Sequence, residues 1–353
     1  MKGSSLNSTI KNPLHLRDPI KITISYTHTC SCDCKHCYAS CTKQRSEKEL
    51  PADKWLEFID YLEEIGVISI LFEGGEPLNR SDFIPVLTRA SRSMMTKLRT
   101  NGVLVDRHMA RTLEKSGVGT VFVDFMGASN NTHEYFTNVK GSFDAACNAV
   151  SHLLSAGVVT NMLMIMTRQN KDEIQDFLNL AYDLGVRKAG VLRLYPIGRA
   201  KKKWKEFACS LDEMTSALHK IKVPEGLYFM QSWHPKDGNC CWQMAAVNAF
   251  GDSIGCTYLR EFVNYGNISR HPFLETWEHP LYRELRAGHV QKACSDCSAT
   301  QGSVGGCRST AYAFTGKWDA PDPFDIALNE GVDLRDLPEW NLQEDPRPQG
   351  TSD

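Results

Sequence analysis

The chain has 353 residues, 42% of them hydrophobic, with 40 basic and 42 acidic side chains and a formal charge of −2. This length can bury one large core with a smaller domain appended, and the near balance of charge leaves no global field to draw nucleic acid or an anionic membrane surface. The opening residues, MKGSSLNSTIKNPLHL, lack the apolar core of a secretory signal and no run approaches the ~20 apolar residues of a membrane span, so a cytoplasmic protein is expected.

Residues 1–19 read as an extension. From residue 20 to 222, strand-like apolar runs alternate with helix-period segments. The runs are Lys21–Thr27, Ile68–Phe72, Thr96–Thr100, Thr120–Phe125, Thr160–Met166 and Gly190–Tyr195. Between them, stretches such as ADKWLEFIDYLEEI and SFDAACNAVSHLLSAG place apolar residues at helical spacing, and several close on Gly as helix C-termini do. Six βα units in series predict an α/β fold with a parallel sheet and right-handed crossovers, an open, partial (β/α)6 barrel of the TIM type. Functional groups of such barrels lie in the loops that follow the strands. CSCDCKHCY follows the first strand, EGGEP the second and TNG the third, so the three are expected on one rim.

After Pro196 the regularity fades, and IGRAKKKWKEF reads as a solvated basic linker. Residues 223–327 are richer in Cys, Gly and Trp and read as a small module held together by metal. Residues 328–353, containing PEWNLQEDPRPQGTSD, read as a polar tail disordered toward its end.

Thirteen cysteines, an odd number, point to metal or redox chemistry rather than a disulfide framework in a reducing compartment. Five lie between Cys30 and Cys41 and six between Cys240 and Cys307, whereas Cys147 and Cys209 stand apart and read as ordinary thiols. Cys30, Cys34 and Cys37 follow the spacing Cys-x3-Cys-x2-Cys. Three thiolates can hold three corners of a cubane iron–sulfur cluster and leave the fourth iron open. The alternative is a zinc knuckle joining Cys34 and Cys37 to Cys294 and Cys297, although zinc ribbons draw their pairs from nearby sequence.

This spacing directly after the first strand, followed by Tyr38 and by GGEP after the second strand, resembles the radical S-adenosylmethionine superfamily over roughly residues 20 to 325. The resemblance implies a [4Fe-4S] cluster on Cys30, Cys34 and Cys37 whose open iron binds S-adenosylmethionine, and cleavage of that cofactor to a 5′-deoxyadenosyl radical that takes hydrogen from a substrate. It implies that Gly74 and Gly75 let the backbone approach the methionine amino group, with Glu76 and Pro77 completing that edge, and that Thr100 and Asn101 lie near the ribose. Asp124 stands where relatives often carry Ser and would accept hydrogen bonds from ribose hydroxyls. For the cofactor's carboxylate there are two candidates, Lys140 and Arg193, with a structural ion pair as the other reading of Arg193. Cys32 and Cys41 receive no ligand role.

Cys241-x9-Gly251-x4-Cys256, then Cys294-x2-Cys297, then Cys307 in GGCRSTAYAFTG, resembles the auxiliary-cluster module called SPASM or its shortened Twitch form. Cys240 can replace Cys241 as ligand at one residue's difference. A complete module carries cysteine at the positions of Ser303 and Asp325, so one auxiliary iron–sulfur cluster is expected and two are the alternative.

The resemblance implies a radical enzyme acting on a natural-product small molecule of sugar, aminocyclitol or nucleoside type, or on a peptide. A peptide maturase forming crosslinks or epimerising residues is the alternative, and a non-catalytic redox sensor or electron carrier is the reading of another class. Residues 1–19 are too few for a folded leader-binding domain, which tilts the expectation toward a small molecule or a leaderless peptide. An electron donor such as flavodoxin or ferredoxin is the expected partner. Sulfatase-maturing relatives carry an Asp base immediately after the Gly-x4-Cys element; here Thr257 and then Tyr258 follow Cys256. Tyr258 is the candidate donor of a proton or hydrogen atom, with simple packing as the competing reading.

Overall fold

A computed structural model describes residues 16–231, 240–287, 290, 306–325, 329 and 331–342. Eight parallel strands form one sheet: β1 (Lys21–Thr27), β2 (Ser69–Gly74), β3 (Met95–Thr100), β4 (Thr120–Phe125), β5 (Thr160–Ile165), β6 (Lys188–Leu192), β7 (Tyr228–Gln231) and β8 (Met244–Val247). Their order is β7-β6-β5-β4-β3-β2-β1-β8, so β7 and β8 are edges and the barrel stays open among the described residues. The first six fall where the sequence places them, β1 and β4 with the same bounds and the others with ends shifted by one to three residues. β7 and β8 come from the segment after residue 222 and extend the sheet on opposite sides.

The helices in chain order are α1 (Ala52–Glu64), α2 (Phe83–Ser91), α3 (Arg107–Lys115), α4 (Asn130–Thr137), α5 (Ser142–Ser155), α6 (Ile174–Asp183), α7 (Gly198–Lys202), α8 (Trp204–Phe207), α9 (Leu211–His219), α10 (Phe273–Trp277), α11 (Pro280–Ala287), α12 (Arg308–Thr315) and α13 (Glu339–Leu342). The barrel helices pack by the period their sequences show: α1 buries Trp55, Phe58, Ile59 and Leu62, one apolar stripe at helical spacing. Side-chain caps set the starts of some of them: Asp106 accepts from the Met109 amide at the head of α3, and Ser210 and Glu213 form a reciprocal capping box on α9. Strands covered on both faces become continuous apolar runs; Ile24, Ile70, Phe72, Leu98, Val121, Val123, Met162 and Met164 form the center of the core.

Two expectations need correction. IGRAKKKWKEF is not a solvated linker: it folds into α7 and α8, burying Ala200, Trp204 and Phe207, and the Lys201 ammonium pairs with Glu261 at 2.8 Å. Its apolar residues sit beside the lysines at helical spacing, which a count of charge alone hides. The first part of the tail is packed too, whereas the end expected to be disordered, residues 343–353, lies outside the described residues. Leu334 and Leu337 are buried, the Trp204 indole donates to the Leu334 carbonyl at 2.7 Å, and Asn341 in α13 donates to the Pro196 carbonyl. No helix among the described residues is long and apolar enough to cross a membrane.

Candidate active site at the rim of the sheet

The loop after β1 is strapped to three neighbours through its backbone. Thr29 pairs with Thr42, and the Cys30 amide donates to the Thr42 carbonyl at 2.9 Å. The Asp33 and Lys35 amides donate to the carbonyls of Thr137 and Phe136 at the end of α4, and the Arg199 amide in α7 donates to the Cys37 carbonyl at 2.8 Å. The Arg199 guanidinium closes on the Asp33 carboxylate at 2.5 Å. A loop with this many backbone partners has a defined shape.

That shape brings Cys30, Cys34 and Cys37 into the wall of one cavity, with Gly74 and Gly75 from the end of β2, Thr100 and Asn101 from the end of β3, and Asp124 from β4. The Asn101 amide nitrogen lies 3.6 Å from the Cys30 sulfur and 3.1 Å from the Ser31 hydroxyl. Three soft thiol donors facing one space, with an amide donor beside one of them, fit an iron–sulfur cluster with one open iron. Cys41 also reaches this wall, its sulfur 3.8 Å from the Gly74 carbonyl oxygen, whereas Cys32 is buried outside it.

Gly74 and Gly75, on the wall of this cavity, also have a packing role that the sequence does not announce. A Cβ on Gly74, whose φ is +137°, would collide with the Thr27 carbonyl oxygen, and one on Gly75 would collide with that of Thr29. The glycines therefore let β2 close against the chain entering the cysteine loop. Glu76, by contrast, does not line the cavity. Its fully buried carboxylate accepts from the Thr100 hydroxyl at 2.9 Å, the Asn101 amide at 2.8 Å and the Leu78 amide at 3.2 Å, tying the second loop to the third. Burial pushes its pKa up to about 7, against the pull of these three donors. Pro77 is buried as the first residue of the short turn that Glu76 caps.

Among the described residues lining this cavity the permanent cation is Arg99, not Lys140 or Arg193. Its Nε contacts both Asp124 oxygens at 2.8 and 2.9 Å. Burial opposes its charge, but the Asp124 carboxylate prevails and holds the guanidinium well above its ordinary pKa. Lys140 is exposed in the turn between α4 and α5. Arg193 lies just past β6 and pairs with Asp322 at 2.8 Å, the structural ion pair that was its other reading.

Arg193 lines a second, adjoining cavity with Tyr195 and Tyr258, while His36, Tyr38 and Arg99 border both spaces. Tyr258 stacks flat on Tyr195 at 3.5 Å between ring centroids and meets Tyr38 edge-on at 5.4 Å; burial pushes its phenol up to about 12. The same burial drives His36 down to about 3, so its ring is neutral. Sequence reasoning missed Arg99 and Glu73. Glu73 accepts from the Tyr38 hydroxyl at 2.6 Å on the wall of the first cavity. The available signal was a charge inside or at the end of a strand of a parallel sheet, where apolar residues are the rule.

Of the second cysteine group, Cys241, Cys256 and Cys307 are buried. Cys294, Cys297 and Ser303 lie outside the described residues, as does the side chain of Cys240. The Tyr265 hydroxyl is buried without a hydrogen-bond partner among the described residues, and burial, then Cys241 and Cys256 nearby, raise its pKa well above the ordinary value. An orphaned donor beside two thiols fits a group that accepts hydrogen bonds there, as cluster sulfur does. Asp325, at the position of an expected cysteine, is buried. Cys147 and Cys209 stand apart from both groups, on α5 and before α9.

Comparison with known proteins places the same two regions. The Radical SAM superfamily matches residues 24–181, and the SPASM iron-sulfur cluster-binding domain matches residues 240–298. The mycofactocin maturase MftC of Mycolicibacterium smegmatis is 30% identical over 86% of this chain and 82% of its own length. The PqqA peptide cyclase of Granulibacter bethesdensis is 23% identical over 87% of each. The fold is that of Streptococcus suis SuiB bound to S-adenosylmethionine, with a TM-score of 0.69 and 16% identity over 88% of this chain and 78% of that one.

Proposed function

The chain belongs to the radical S-adenosylmethionine superfamily, and on that premise we propose that it is a peptide maturase whose [4Fe-4S] cluster is held by Cys30, Cys34 and Cys37. The observation that carries the reading is the single cavity those three thiols share with the ends of β2, β3 and β4. When bound there, the cluster and S-adenosylmethionine supply a 5′-deoxyadenosyl radical that takes a hydrogen atom from substrate. The chain's own residues position and shield that chemistry. Glu76 fixes the second and third loops against each other, Gly74 and Gly75 let them close on the cysteine loop, and Asp124 and Arg99 present an acceptor and a donor to the ribose and its surroundings.

Cys256, Cys294, Cys297 and Cys307, with Cys240 or Cys241, are the proposed ligands of at least one auxiliary iron–sulfur cluster. Tyr258 serves in packing between Tyr195 and Tyr38. The substrate reading moves from a small molecule toward a peptide. Support comes from the peptide cyclase relative and from the fold shared with SuiB, a structure of which is bound to the precursor peptide SuiA. The enzyme works in the cytoplasm with a flavodoxin or ferredoxin as electron donor.

The test is an anaerobic assay of reconstituted, reduced protein with S-adenosylmethionine in deuterated buffer. A precursor peptide is expected to raise 5′-deoxyadenosine formation and to change mass. A response to a sugar, aminocyclitol or nucleoside, with none to peptides, overturns the peptide reading.

A further inference from the structure

We propose that the outer side of the cysteine loop is the docking surface for an acidic one-electron carrier protein, centered on Tyr135 and framed by Lys35, Lys203 and Lys205. The inference rests on the assignment of the reduced cluster to Cys30, Cys34 and Cys37 and on no particular substrate. Lys35 stands between Cys34 and Cys37, and its ammonium lies 3.3 Å from the centroid of the Tyr135 ring on α4. The Tyr135 hydroxyl donates to Glu206 on α8 at 2.7 Å, and the Lys203 ammonium lies 3.4 Å from the same carboxylate. One continuous surface thus joins the cysteine loop, α4 and α8.

The charge of this surface runs against that of the chain, whose formal total is −2. Lys203 and Lys205 are exposed, Lys205 almost fully, with Asp336 no nearer than 3.8 Å. The acids of this surface are engaged as well: Asp33 by Arg199, Glu206 by Tyr135 and Lys203, Glu134 by the Gly141 amide, and Asp336 by Lys205 at 3.8 Å. On the loop's other flank the Lys43 ammonium touches the Ser31 carbonyl, and Lys140 is exposed beyond the end of α4. Tyr135 is an exposed aromatic side chain under the Lys35 ammonium, and it shares the Glu206 carboxylate with Lys203. An aromatic center with a basic frame suits a small, transient interface, and the charges would set orientation and association rate more than final affinity.

Position selects an electron carrier over an acidic peptide as occupant. Lys35 is one residue from Cys34 and two from Cys37, and α7, which leads into α8, binds the Cys37 carbonyl directly. A carrier seated on Tyr135 therefore rests against the loop that carries the thiols. In the transfer the carrier is oxidised by one electron and the protein's iron–sulfur center is reduced by one, with no bond made or broken.

The experiment titrates an acidic flavodoxin, with no substrate present, into reconstituted protein and follows flavin fluorescence at low and high salt. Binding should weaken with salt, and the double variant Lys203→Glu, Lys205→Glu should lose about tenfold in affinity at low salt. Iron content and dithionite-driven cleavage of S-adenosylmethionine should stay at wild-type level in that variant. Tyr135→Ser should weaken binding even at high salt. Unchanged flavodoxin affinity in both variants overturns the proposal. So does loss of binding to a polyglutamate peptide with flavodoxin binding intact, which would assign the surface to an acidic peptide. Because no substrate is added, failure here leaves the peptide-maturase reading untouched.

Discussion

Arg193, one residue past β6, donates to Asp322 at 2.8 Å, and both side chains are almost wholly buried. The same carboxylate accepts from the Cys307 amide at 2.8 Å, the Thr310 hydroxyl at 2.7 Å and the Phe324 amide at 3.1 Å. Gly306 has φ +71° and no room for a Cβ against Asp322, so the chain entering Cys307 is molded onto this carboxylate. One side chain therefore fixes the position of a proposed cluster ligand relative to the barrel. Asp322→Asn retains the shape but removes the charge opposite Arg193, and should cost about 3–5 kcal/mol. A fall in thermal midpoint together with lower iron content is the expected result; loss of neither would show that the anchor is dispensable.

Glu76 should give the protein a pH-dependent increment of stability. Its folded-state pKa of about 7 exceeds the ordinary 4.5, so the native chain binds the proton more readily between those values. The contribution is then fully present below about pH 4.5 and is lost as pH rises through about 7, on the order of 3 kcal/mol in all. Glu76→Gln removes the titration and turns an amide N–H toward a backbone or hydroxyl donor, at a cost of about 1–3 kcal/mol. The gap in thermal midpoint between wild type and variant should narrow from pH 5 to pH 8. A gap that stays constant would mean that the three donors keep Glu76 ionised throughout.

The sequence made the barrel legible because its strands and helices differ in period, and the cysteine loop legible because ligand spacing is local. What escaped was long-range. β7 and β8 are four residues each, too short to announce themselves, and are strands because β6 and β1 offer open edges. α7 and α8 were obscured by their lysines, although Trp204 and Phe207 carry the packing. The rim position of Gly74, Gly75 and Glu76 could be read, but not their partners. Whether a backbone approaches a ligand or another backbone depends on Thr27 and Thr29, nearly fifty residues away in the chain. Arg193 and Asp322 are separated by 129 residues, beyond what any spacing can pair.

The two glycines should respond to substitution through the cysteine loop. Gly75→Ala drives a methyl group into the Thr29 carbonyl, a backbone atom that cannot rotate aside, and Gly74→Ala adds a strained φ to a clash with Thr27. Each should cost about 1–3 kcal/mol or more and should lower iron incorporation at the first thiol group. If Gly75→Ala takes up iron normally and melts as the wild type does, the close approach of β2 to the loop is not what the residue serves.

The two thiol groups can be separated by iron content and cofactor cleavage. Reconstituted wild type should hold about eight irons with one auxiliary cluster and about twelve with two. Cys34→Ala removes one of the three proposed ligand thiols from the first cavity and should abolish 5′-deoxyadenosine formation while retaining auxiliary iron. Cys256→Ala, in the group beside Tyr265, should lower iron by about four and retain cleavage of S-adenosylmethionine, because the first cavity lies on other loops. If Cys256→Ala loses cleavage as completely as Cys34→Ala, the second group supports the fold of the whole chain. The shared Asp322 anchor provides a route for that outcome, which a parallel drop in thermal midpoint would identify.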